Sequence, residues 1–115
     1  MEVFDAIRKR RSVRKYSQVM PSDEDIHKIL EAGMWAPSGL NNQPWKWKVV
    51  KERKTLDALA GFTKYGRIIK GAPVCICVFL DNDAMYNRDK DMQAIGACIQ
   101  NMLLQAHALD RKSVV

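Results

Sequence analysis

The sequence predicts a mixed α and β fold, and three observations lead there. Stretches with apolar residues at helical spacing recur along the chain. Between them lie two strand-like runs: Trp45 to Val49 alternates apolar and basic residues, and Val74 to Leu80 is apolar throughout. No internal repeat or low-complexity linker interrupts the pattern, so the 115 residues are expected to form one domain, residues 1–115.

Residues 2–9 read as a short helix with Val3, Phe4 and Ile7 on one side and cations at its end, where they suit the negative pole of the helix dipole. In the segment that follows, Arg10 to Tyr16, Val13 and Tyr16 are positioned to anchor extended chain. Pro21-Ser22-Asp23-Glu24-Asp25 is a helix start: Ser22 is a natural N-cap and three acids fill the first turn. Ile26, Ile29, Leu30, Gly33 and Met34 then recur at helical spacing until Pro37 forbids continuation.

Ala36 to Trp45 holds two prolines, a glycine and adjacent asparagines. It must be a loop, with Gly39 and the asparagines free to take positive φ. Ser38, Asn41, Asn42 and Gln43 give it uncharged donors and acceptors. Lys54 to Ala60 is a modest helix stopped by Gly61. The seven apolar residues from Val74 to Leu80 predict a strand buried on both faces. A polar connection, Asp81 to Asp89, leads to the longest helix, Lys90 to Leu109. That helix is apolar nearly all round, so its second face is expected to meet something outside the domain, with a twin subunit the natural candidate.

Composition excludes several classes. With 47% hydrophobic residues the chain can build a core. No apolar run approaches the roughly 18 residues of a membrane span, and the N-terminus has no apolar region of a signal peptide, so the cytoplasm is expected. Cys75, Cys77 and Cys98 are expected to be reduced, buried thiols. Cys-x-Cys without a second Cys or His pair is a poor zinc signal, and no metal is expected. His27 and His107 read as ordinary helix residues.

The net charge of +6 is a local feature: six of the eight positions from Arg8 to Lys15 are basic, and the remainder carries 13 basic and 13 acidic residues. Three readings stay open from the residues alone. The run is a solvated helix end, a contact for a nucleic-acid backbone, or a grip on one small phosphate, with guanidinium forks and the Ser12 hydroxyl as donors. No dinucleotide fingerprint, P-loop, nucleophile elbow or zinc array is present. An enzyme without its own nucleophile or metal depends on a bound cofactor.

Arg10-Arg11-Ser12-Val13-Arg14-Lys15-Tyr16, the helix after Ser22, Ala36-Pro37-Ser38-Gly39-x-Asn41-x-Gln43-Pro44-Trp45 and the helix Gln93 to Leu109 together resemble the nitroreductase family of flavin-dependent oxidoreductases, in order and spacing. The resemblance implies an α+β fold in which helices flank a central, mainly antiparallel sheet with a long central helix. It implies an intertwined homodimer holding FMN at the interface. It assigns Arg10 and Ser12 to the FMN phosphate and Arg14 toward the isoalloxazine, with Arg11 a weaker candidate. Pro37, Ser38, Gly39 and Asn41 match positions that approach the flavin from the other subunit, and Lys64 and Arg67 align loosely with further flavin contacts. The implied activity passes electrons from NADH or NADPH through FMN to a nitroaromatic, quinone or similar acceptor. The family pattern holds to about Leu109 and is then lost, with Asp110 where glycine is usual. A truncated relative, incomplete at the C-terminal end of the fold, is therefore expected. The competing expectation is a non-catalytic dimerising or binding module, contacting nucleic acid through Arg8 to Lys15.

Overall fold

A computed structural model describes residues 2–109. The order is α1 (Val3–Lys9), α2 (Asp23–Met34), a single 3-10 turn (Gly39–Asn41), β1 (Trp45–Val50), α3 (Arg53–Ala60), α4 (Gly66–Lys70), β2 (Cys75–Leu80) and α5 (Arg88–Ala108). The expectation for Asp110 lies outside the described residues. Among the described residues no helix is long and apolar enough to cross a membrane.

Local chemistry sets the helix boundaries. The Ser22 hydroxyl accepts from the Asp25 amide at 3.1 Å, opening α2 as its capping sequence predicts. Asn87 caps α5 in the same way, accepting from Lys90 N at 3.0 Å, which starts that helix two residues before the predicted Lys90. Helix α4 was not predicted: Gly66-Arg67-Ile68-Ile69-Lys70 is too short to show a helical period.

Strands β1 and β2 pair antiparallel, with Trp45 opposite Leu80, Trp47 opposite Val78 and Val49 opposite Ile76. This register puts Trp45, Trp47, Ile76, Val78 and Leu80 on the face that packs against α5, while Lys46 and Lys48 point away to solvent. The core lies between that face, α2 and α5, and is built from Ile29, Ala36, Trp45, Ala94, Ile95, Cys98, Met102 and Ala106. Burying a side chain such as Ile29 or Ile95 contributes about 1.5–3 kcal/mol. Helices α2 and α5 approach closely at Gly33, where an added Cβ would stand 2.9 Å from both Cys98 Sγ and Met102 Cγ. Asn101 fastens the same pair by donating to the Ala32 carbonyl at 3.0 Å.

Several expectations are corrected. Strand β2 is half-buried along most of its length and Phe79 is exposed, because only one face meets α5. Cys98 is fully buried, but Cys75 and Cys77 on the other face of β2 are only half-buried; all three are free thiols. Helix α5, by contrast, agrees with its expectation: one side is buried in the chain, and Met92 and Ile99 on the other are exposed. In α1 the residue that is buried is Ala6, whereas Val3, Phe4 and Ile7 are exposed. An apolar groove of about 450 Å³ also runs between α2, α4, β2 and α5, lined by Ile26, Ile68, Ile76, Val78 and Met102 among others.

Candidate functional site

The basic segment leaves α1 at Arg10, whose backbone turns from helical to extended (φ −57°, ψ 136°). From there the side chains point outward, except that Val13 and Tyr16 are half-buried and hold the segment down as their spacing predicts. Arg10 is half-buried; Ser12 and Arg14 are exposed. The Nη1 of Arg11 donates to the carbonyls of Arg8 at 2.7 Å and Arg10 at 2.9 Å, so this guanidinium caps the end of α1. Burial raises the pKa of the Tyr16 hydroxyl, and the neighbouring Arg14 guanidinium opposes that rise. Among the described residues, the ion pairs lie elsewhere: Asp5 with Lys9, Glu24 with Lys28, Asp81 with Lys46, Asp23 with Lys51, and Asp57 with Arg53. Arg10, Ser12 and Arg14 thus form a donor set whose cations meet no acid among the described residues, which is the chemistry an anion such as a phosphate requires.

The loop after α2 is wound tightly. Left-handed backbone occurs at Leu40 (φ 55°), Asn41 (φ 52°) and Gln43 (φ 49°), and at no glycine. This corrects the expectation for Gly39 and Asn42. Gly39 is needed for space, since a Cβ there would land on the Tyr86 hydroxyl. Backbone bonds run from Asn41 N to the Ser38 carbonyl (3.0 Å) and from Asn42 N to the Gly39 carbonyl (3.1 Å). The Ser38 hydroxyl accepts from Gln43 N at 3.0 Å, and Gln43 Nε2 donates to Asn41 Oδ1 at 3.1 Å. Pro37 and Asn41 are exposed; Ser38 and Gly39 are half-buried.

Asn42, one of the loop's expected donors, has a partner that the sequence pattern did not single out, Asp91. Asn42 Nδ2 donates to the Ala84 carbonyl at 2.9 Å and to Asp91 Oδ1 at 2.8 Å. The other carboxylate oxygen of Asp91 accepts from the amides of Tyr86 at 2.9 Å and Asn87 at 3.1 Å. Asp91 has no exposed surface. Burial works to raise its pKa, but the bonds from Asn42, Asn87 and Tyr86 prevail and hold the carboxyl below its usual value. The signal was present: Asp91 continues the stripe of Ala94, Ile95, Cys98 and Met102, so its carboxylate sits on the buried side of an amphipathic helix.

Lys64 and Arg67 come together in an open pocket at the junction of α3 and α4, lined also by Thr63 and Lys70. Helix α5 touches both α1 and the Gly39–Asn41 turn. Among the described residues, however, no hydrogen bond or ion pair joins Arg10–Arg14 to residues 36–41 or to Lys64 and Arg67. Within one chain the predicted site residues thus fall into three groups that share no such bond among the described residues.

Comparison with known proteins places these patches in context. A family model described as "Nitroreductase family" matches residues 7–66. A protein of Archaeoglobus fulgidus named "Putative NADH dehydrogenase/NAD(P)H nitroreductase" is 40% identical over 114 residues, covering 98% of this chain and 66% of its own. One of the same name from Methanothermobacter thermautotrophicus is 38% identical over 109 residues, covering 95% of this chain and 57% of its own. Among solved structures, a Desulfovibrio desulfuricans protein described as "a putative nitroreductase in complex with fmn" is 56% identical and superimposes with a TM-score of 0.89 over 95% of this chain and 64% of that one. The chain therefore spans roughly three-fifths of the length of these proteins, and its fold is theirs over the shared part.

Proposed function

This chain belongs to the nitroreductase family, and on that premise we propose that it is an FMN-dependent oxidoreductase using NADH or NADPH as donor and a nitroaromatic, quinone or similar compound as acceptor. The observation that carries this reading is the donor set of Arg10, Ser12 and Arg14, whose cations meet no carboxylate among the described residues and which lies inside the matched span. Arg10 and Ser12 would hold the phosphate of FMN, and Arg14 would reach toward its ring system. Pro37, Ser38, Gly39 and Asn41 would approach the flavin of a second subunit. Lys64 and Arg67 would add cationic contacts from the α3–α4 pocket. When bound, FMN supplies the electron-accepting and electron-donating chemistry that no side chain here can perform. The protein's share is to orient the flavin, place positive charge where the reduced ring is anionic, and keep water from the reacting face.

The test is an absorbance spectrum of the purified protein after incubation with FMN, followed by an assay of NAD(P)H oxidation. About one flavin per chain and turnover with an acceptor are expected. Arg10→Ala should weaken FMN binding about 10- to 100-fold, the loss of a charge-assisted hydrogen bond worth about 1.5–3 kcal/mol. A colourless protein that binds nucleic acid with affinity falling steeply as salt rises would replace this reading with the binding-module alternative.

A further inference from the structure

We propose that Asn42 and Asp91 are positioning residues that lock the Ser38–Gln43 loop in the shape it presents to a flavin. The inference rests on the reading above for its ligand but not for its mechanics. Three residues of the loop oppose spontaneous order. Leu40, Asn41 and Gln43 all hold left-handed backbone, which costs a side-chain-bearing residue free energy and persists only where surroundings over-determine it. Leu40 and Asn41 are exposed, so burial does not supply the constraint. Beyond the bonds inside the loop, its tie to the rest of the fold comes from the residue between them and Gln43: both amide hydrogens of Asn42 are committed, one to Ala84 and one to Asp91.

Asp91 is suited to this. It is fully buried in the first turns of α5, and its second oxygen is fixed by the Tyr86 and Asn87 amides. The same carboxylate therefore ties three segments: the loop, the connection after β2 and the long helix. Through the Tyr86 amide it also orients the residue whose hydroxyl fills the space above Gly39. Asn42 Oδ1 is buried without a partner, so the amide is held by its donors alone and has one sensible orientation. Neither Asn42 nor Asp91 would touch the flavin; they act through Ser38, Gly39 and Asn41.

The test uses residue-resolved amide exchange on the whole chain without cofactor, then titration with FMN. The amides of Asn41, Asn42 and Gln43 are bonded within the loop and report its shape. In Asn42→Ala they should exchange at least tenfold faster while protection in α2 and α5 is retained, and the dissociation constant for FMN should rise about tenfold with an altered visible absorption band of the bound flavin. Asp91→Asn keeps the shape but puts an NH2 donor in place of one acceptor oxygen, so it loses either the bond from Asn42 or the pair from the Tyr86 and Asn87 amides, and should show the same pattern. Unchanged exchange at the three loop amides would overturn the proposal, as would a uniform loss of protection throughout the molecule. Wild-type protein that takes up no FMN would sink the flavoprotein reading alone, since loop exchange still decides whether Asn42 and Asp91 brace the turn.

Discussion

At the residue scale, Asp91 shows how a buried charge is made tolerable. Its three hydrogen bonds lower the carboxyl pKa despite burial, relative to an unfolded value of about 3.9. The group therefore stabilises the fold at every pH above that value, and the contribution fades as pH falls through the folded value. The melting-temperature gap between wild type and Asp91→Asn should accordingly be constant from about pH 7 to pH 5 and narrow below about pH 4; circular dichroism melts across that range would show it, and a gap unchanged in acid would refute the assignment. Leu40 invites the opposite experiment. It is 84% exposed with φ 55°, so Leu40→Gly relieves backbone strain and removes no packing within the chain. A gain of about 0.5–1 kcal/mol is expected in denaturant unfolding. A loss instead would mean that the leucine is covered by a second subunit. Cys98 is inert by construction: it is fully buried and burial pushes its thiol up to about 11. Alkylation near neutral pH should modify it only after unfolding, whereas half-buried Cys77 reacts in the native protein, as peptide mass mapping would reveal.

At the scale of elements, what was legible in the sequence is what local chemistry decides. Ser22 capping α2, Gly61 ending α3, the alternation of β1 and the loop around Gly39 all follow from short-range pattern, and each is present. Partners distant in the chain were not legible. The Asn42–Asp91 bond spans 49 positions, and the three-residue left-handed winding of the loop depends on it, so propensity pointed to Gly39 and missed Leu40 and Gln43. The basic run left three readings open, an anion grip among them, and the capping role of Arg11 does not show in its pattern. Contact between α2 and α5 is where element packing is most exacting. Gly33→Ala gains up to about 1 kcal/mol of helix propensity but drives a methyl into Cys98 and Met102, and overpacking of this kind costs about 1–3 kcal/mol. A net loss near 1 kcal/mol is expected by chemical denaturation, and Gly33→Ala should cost less in a Met102→Ala background, which opens space beside the new methyl, than in the wild type.

At the scale of the whole molecule, one chain leaves a coherent set of apolar surfaces uncovered. Met92, Gly96 and Ile99 fall on one side of α5; Met92 and Ile99 are exposed, and a Cβ at Gly96 would meet nothing. Val3, Phe4 and Ile7 on α1 are exposed as well, and α1 packs on the same long helix. Scattered apolar residues on a surface mean little, but a contiguous helical face does. A second copy of the chain that buried this face is the arrangement the proposed shared flavin site requires. Met92→Glu isolates the point, because Met92 is half exposed in the chain alone and carries little of its stability. The variant should unfold within about 0.5 kcal/mol of wild type once dissociated, yet sediment as a monomer at concentrations where wild type is a dimer. If the flavin site is shared, FMN uptake must fall in step with dimer content as the protein is diluted. Full FMN binding by a monomeric Met92→Glu protein would separate the two and leave the basic segment binding the cofactor without the loop.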